Sequence, residues 1–94
     1  MNSGEAGRLL LAELEAYRAW TYERLCGLIG SPKRTTEIVG LSGTRYYVDI
    51  YAAWESRPNG EVRVFGCIDD GGWRAFFPLS EVFVRAPDGS TYAG

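Results

Sequence analysis

Two cysteines and no histidine restrict the chemistry this sequence can carry. Without histidine the commonest general base and the commonest transition-metal ligand are both missing. A nucleophilic Cys26 or Cys67 would need another activating group, and only Arg74 is placed beside Cys67. Two carboxylate pairs are brought near each other by strand alternation, Asp49 with Asp69 and Glu55 with Glu61. General acid–base work needs a buried carboxyl with a shifted pKa, whereas these sit on exposed strand positions, and Arg57 or Arg63 is placed to relieve the second pair. Asp69-Asp70-Gly71-Gly72 lacks the alternating ligands and distal glutamate of a calcium loop, and a hairpin turn accounts for all four residues. Gly27-Leu28-Ile29-Gly30 has the letters of an RNA-clamping loop, but its apolar middle suits a helix C-terminus. Gly40-Leu41-Ser42-Gly43-Thr44 lacks the lysine and following helix of a phosphate loop. The expectation is a non-enzymatic chain with no metal and no cofactor.

One constellation remains. Tyr51, Phe65 and Phe76 are predicted to form an aromatic row across three strands, with Arg45, Arg63 and Arg74 around it. Cross-strand aromatic pairs stabilise a sheet on their own account, by up to about 1 kcal/mol each. The tail, with Val82, Phe83, Val84 and Tyr92, offers a cover for the row; left bare, the row is a candidate interface. Basic and aromatic residues on one sheet face also resemble the stacking platforms of RNA-binding sheets. Those sheets follow a βαββαβ order, however, and carry an aromatic-rich motif of which residues 63–68 are a loose echo. A net charge of −2 and a pI of about 5.0 supply no positive field to attract nucleic acid.

The elements that hold these residues are legible from periodicity. Residues 4–29 read as one helix, capped by Asn2 or Ser3, with Glu5 in its first turn. Leu10, Leu14, Tyr17, Thr21, Leu25 and Leu28 recur on one face, and Gly30-Ser31-Pro32 ends the helix. Strands follow at 34–40, 44–55, 61–69 and 73–77, with a short extended piece at 82–85. Leu79-Ser80-Glu81 reads as a tight turn and Pro87-Asp88-Gly89 as another. The fold class is therefore α+β: a long N-terminal helix on one face of a three- to four-stranded antiparallel meander, in α-β-β-β-β order, as a single domain over residues 1–94.

Turn placement fixes the register. A loop at 56–60 sets Trp54 opposite Val62, Ala52 opposite Val64, Ile50 opposite Gly66 and Val48 opposite Ile68. A two-residue turn at Asp70-Gly71 sets Ile68 opposite Trp73, Gly66 opposite Ala75 and Val64 opposite Phe77. Both assignments put Val62, Val64, Gly66 and Ile68 on one apolar face. With Val48, Ile50, Trp54, Trp73 and Phe77 that face should carry the helix. Gly66 and Ala75 leave a hollow there, to be filled by Tyr17 or Trp20, or else by a small ligand.

An apolar share of 46% and an aromatic share of 14% support a core without staples. The apolar run at Leu9–Ala12 is too short to span a membrane and follows no basic segment, so a cytoplasmic setting is expected. Cys26 and Cys67 are assigned to different layers and are not expected to pair. The stretch 69–81, Asp-Asp-Gly-Gly-Trp-Arg-Ala-Phe-Phe-Pro-Leu-Ser-Glu, followed by Pro87-Asp88-Gly89, resembles a pattern in uncharacterised families of small bacterial α+β proteins. That resemblance covers the last third of the chain and implies a bacterial origin but no activity. At the level of fold alone, a helix across an antiparallel sheet also resembles cystatin-like domains and some immunity proteins of toxin systems. The functional expectation is a protein-interaction module that uses the outer sheet face or an exposed strand edge, its partner an unknown protein or a second copy. Two alternatives stand beside it: a single-stranded nucleic-acid binder on the same outer face, and a small-ligand carrier using the inner hollow.

Overall fold

The computed structural model describes residues 3–72 and 79–93. Two helices, α1 (Ser3–Arg18) and α2 (Tyr22–Cys26), precede five strands, β1 (Arg34–Val39), β2 (Arg45–Trp54), β3 (Val62–Asp69), β4 (Leu79–Arg85) and β5 (Thr91–Ala93). The strands form one antiparallel sheet in the order β1-β2-β3-β4-β5. The architecture is α+β, with a helical layer on a meander that has one strand more than the sequence indicates.

The single long helix expected over residues 4–29 is two helices. Trp20 N–H bonds to Tyr17 O at 3.0 Å, tightening the last turn of α1. Thr21 then turns extended (φ −69°, ψ 160°) and its hydroxyl accepts the N–H of Arg24, capping α2. Thr21 thus begins a new helix instead of belonging to the apolar stripe. The freed carbonyls are taken by Arg85, whose guanidinium donates to Arg18 O and Trp20 O, both at 2.6 Å. A cation at a helix C-terminus suits the negative end of the helix dipole.

Between β2 and β3 the pairing is as the sequence indicates, with Val48 opposite Ile68, Ile50 opposite Gly66, Ala52 opposite Val64 and Trp54 opposite Val62. The other side of β3 differs. Residues 79–85, read as a turn and a short piece, form β4 and pair along the whole of β3: Ile68 with Leu79, Gly66 with Glu81, Val64 with Phe83. The pairings with Trp73, Ala75 and Phe77 are therefore corrected; the strand expected at 73–77 itself lies outside the described residues. Local turn chemistry at the end of β3 is present, since Gly71 has φ 79° and its N–H bonds to Asp69 Oδ1 at 2.7 Å. It does not close a two-residue hairpin. The partner is displaced by six positions, an even number, so every β3 residue keeps its assigned face.

That inner face is buried. Val48, Ile50, Val62, Val64 and Ile68 are 2% exposed or less and pack with Ala6, Leu10 and Leu14 of α1, Leu25 of α2, Tyr46 and Phe83. Trp54 is half-buried at the end of the sheet, while Trp73 and Phe77 lie outside the described residues. The hollow at Gly66 is filled from α1, but by leucines rather than by Tyr17 or Trp20. A β-carbon placed on Gly66 would stand 3.0 Å from Leu10 Cδ1 and 3.1 Å from Leu14.

Candidate functional site

The outer face is built by alternation: every β2 and β3 residue that does not face the helices faces the other way. Tyr51 and Phe65 are direct cross-strand partners. Their rings stack with centroids 4.8 Å apart and planes 9° from parallel. Tyr51 is 37% exposed and Phe65 half-buried, so the accessible part of this face centres on the tyrosine. Burial, and after it the neighbouring Cys67 sulfur, push the Tyr51 hydroxyl above its ordinary value, which keeps it a neutral donor. On β4 the row continues with Val82 opposite Phe65 and Val84 opposite Arg63. Phe76 and Arg74, assigned to this row, lie outside the described residues.

Arg63 and Arg45 are not free cations. Arg63 reaches back to Glu55 in a two-pronged pair, Nε to Oε2 at 2.5 Å and the second nitrogen to Oε1 at 2.8 Å. The pair holds the Glu55 carboxyl below its usual range and raises Arg63. It also relieves the repulsion expected between Glu55 and Glu61. Arg45 bonds to Glu37 at 2.9 Å. It sits six positions from Tyr51 along β2, about 20 Å away at the usual strand rise. The structure therefore brings together Tyr51, Phe65 and Arg63, and separates Arg45 from them.

The tail does not cover the row. β5 pairs with β4, Tyr92 opposite Val84, and extends the sheet sideways. Tyr92 is 45% exposed. Asp49, opposite Cys67, accepts the Thr35 hydroxyl at 2.6 Å and Lys33 Nζ at 3.3 Å, while Asp69 caps the turn at Gly71. These two carboxylates are thus occupied separately. Among the described residues no three Cys, Asp or Glu side chains converge on a point where a metal ion would sit. Cys26 and Cys67 are free thiols.

Three arrangements escaped the sequence reading, the first two because they join residues far apart in the chain. Glu5 is 9% exposed. It accepts the Ser42 hydroxyl at 2.6 Å, the Ser42 N–H at 3.0 Å and the buried Tyr46 hydroxyl at 2.8 Å. The Ser42 hydroxyl first, then Tyr46 and the Ser42 N–H, hold the Glu5 carboxyl below its usual range. A carboxylate so stabilised is a poor base, so the cluster joins the start of α1 to the β1–β2 turn without offering catalysis. A β-carbon on Gly40 would stand 2.5 Å from Glu5 Oε1, so a larger residue there would displace this carboxylate. Arg85, 6% exposed, forms the second arrangement. In the third, the Trp20 ring has the Arg24 and Arg34 guanidinium carbons 4.0 and 5.2 Å from its centre, with Tyr17 at 4.7 Å. A polar cleft of about 510 Å³ opens at the end of the sheet between Arg57, Asn59, Glu61 and Pro87.

No family model matches the sequence, and neither a curated protein nor a solved structure matches it significantly. Among the described residues no helix is long and apolar enough to cross a membrane.

Proposed function

We propose that this chain is a non-enzymatic protein-interaction module that binds a protein partner through the outer sheet face around Tyr51 and Phe65. The observation that carries the reading is the stacked Tyr51–Phe65 pair on the side of the sheet away from the helices, with β5 alongside the sheet rather than over the pair. Rigid aromatic rings with a polar tip give contact area at small entropic cost and are enriched at interfaces. The Glu55–Arg63 pair supplies a polar rim beside them. A bacterial origin accords with the pattern at residues 69–81. Pairing of Arg63 and Arg45 with carboxylates weakens a nucleic-acid reading of this face. Leu10 and Leu14 over Gly66 leave a carrier reading without its hollow.

The test is Phe65→Asp, which places a charge in the stacked pair, compared with Arg24→Ala on the helical side. Both proteins are checked for unchanged far-ultraviolet dichroism and used as bait in extracts of the source cells. A partner retained by the wild type and by Arg24→Ala, and lost with Phe65→Asp, supports the outer face. Equal retention by all three, with the fold intact, removes it.

A further inference from the structure

β1 ends the sheet, and among the described residues no strand pairs with its far edge. Five of its six residues are exposed and Ile38 is half-buried. Gly40 N–H bonds to Thr44 O at 2.8 Å, which fixes the parity of the ladder. Even-numbered residues of β1 turn their backbone groups toward β2, and Thr35, Glu37 and Val39 turn theirs outward. An open row of backbone donors and acceptors is a template for another strand. The opposite end strand, β5, has only three residues.

The charges along this edge decide what fits it. Lys33, Thr35, Glu37 and Val39 alternate onto the outer face. Lys33 is already bonded to Asp49 at 3.3 Å and Glu37 to Arg45 at 2.9 Å. We propose that the β1 edge pairs antiparallel with the same edge of a second copy, about a two-fold axis at Thr35, so that two sheets become one. Outward parity allows an axis at any residue of β1; an axis at Arg34 sets two arginines opposite each other, and axes at Ile38 or Val39 match no charges. With the axis at Glu37 two carboxylates oppose each other, and with the axis at Thr36 no charges are matched. At Thr35, Lys33 of each copy faces Glu37 of the other, and the order Arg45, Glu37, Lys33, Asp49 alternates in sign across the seam. Backbone bonds between paired odd-numbered residues supply the affinity, and the two matched charge pairs select this register against the others. Val39, 60% exposed, lies on the same edge. This seam uses a different surface from the Tyr51–Phe65 face, so either assignment can fail while the other stands.

Solution mass across the micromolar range, by sedimentation or light scattering, tests the seam. The wild type is expected to be a concentration-dependent dimer. Lys33→Glu puts carboxylates at both seam positions of one chain, and Glu37→Lys puts ammonium groups at both positions of another. Each variant alone then faces like charges twice and is expected to weaken the dimer about tenfold or more. Mixed in equal amounts, the two variants face opposite charges twice and dimerise with each other. Lys33 and Glu37 are 61% and 50% exposed, so neither substitution disturbs the core. A wild type that stays monomeric overturns the proposal. So does a dimer that is indifferent to both substitutions, or one that mixing fails to restore.

Discussion

Glu5 shows how one side chain can join two layers. Its carboxylate accepts from Ser42 twice and from Tyr46 once, and each bond favours the ionised form. Its folded pKa therefore lies below the ordinary 4.5. When a folded pKa is depressed, the stabilisation is present above the unfolded pKa and is lost as pH falls through the folded value. Glu5 accordingly stabilises the protein at neutral pH and contributes to its weakening below about pH 4.5. Glutamine at this position has one acceptor oxygen where the carboxylate has two, and its amide must confront a Ser42 donor. Glu5→Gln is expected to lower the melting temperature at neutral pH. It is also expected to flatten the fall in melting temperature between neutral pH and about pH 3. Some slope persists, because Glu55, Asp70 and Asp88 are also held low. Melting curves across that range check this, and a variant that parallels the wild type at every pH would sink the assignment.

Elements were legible where neighbouring residues decide them and obscure where distant ones do. The β2–β3 register follows from alternation plus one loop, and both are local. The break at Thr21 was hidden because Leu25 and Leu28 continue the same 3.6 periodicity on either reading. What ends α1 is Arg85, 67 positions from Arg18 in the sequence. β4 was mistaken because Leu-Ser-Glu has the composition of a turn, and Asp70-Gly71 satisfies turn chemistry without closing a hairpin. Of the candidate site, Tyr51 and Phe65 came out as a pair, whereas Arg45 shares their face but not their place along the strand. The filling of the Gly66 hollow belongs to the same scale, since it is a contact between elements. Leu10 and Leu14 approach β3 closely only because residue 66 has no side chain. A valine there drives methyl groups into both leucines, and overpacking of this kind costs about 1–3 kcal/mol. Gly66→Val should lower the midpoint of urea denaturation by a matching amount with an unchanged slope. A midpoint at or above the wild-type value would mean that the helix yields at that contact.

Across the whole molecule, neither layer has a core without the other. Ala6, Leu10, Leu14 and Leu25 from the helices are buried against Tyr46, Val48, Ile50, Val62, Val64, Ile68 and Phe83 from the sheet, in one continuous cluster. Two polar ties reinforce the cluster from either end of α1: Glu5 to the β1–β2 turn, and the α1–α2 junction to β4 through Arg85. A 94-residue chain buries roughly 60–65% of its unfolded surface, too little to support two independent cores. Loss of either layer strips the other of the apolar face it packs against, so the molecule should unfold in one step. Neither thiol contributes a staple, since Cys26 lies in α2 and Cys67 on the outer face of β3. At fixed protein concentration, far-ultraviolet dichroism reports the helices and the sheet together, and tryptophan fluorescence reports Trp73 together with Trp20 and Trp54, the last two packed against the shared core. The two signals are expected to give coincident thermal midpoints, unchanged by a thiol reductant. Separate midpoints would mean that one layer holds its structure alone, and a shift on reduction would mean that a disulfide joins what the fold keeps apart.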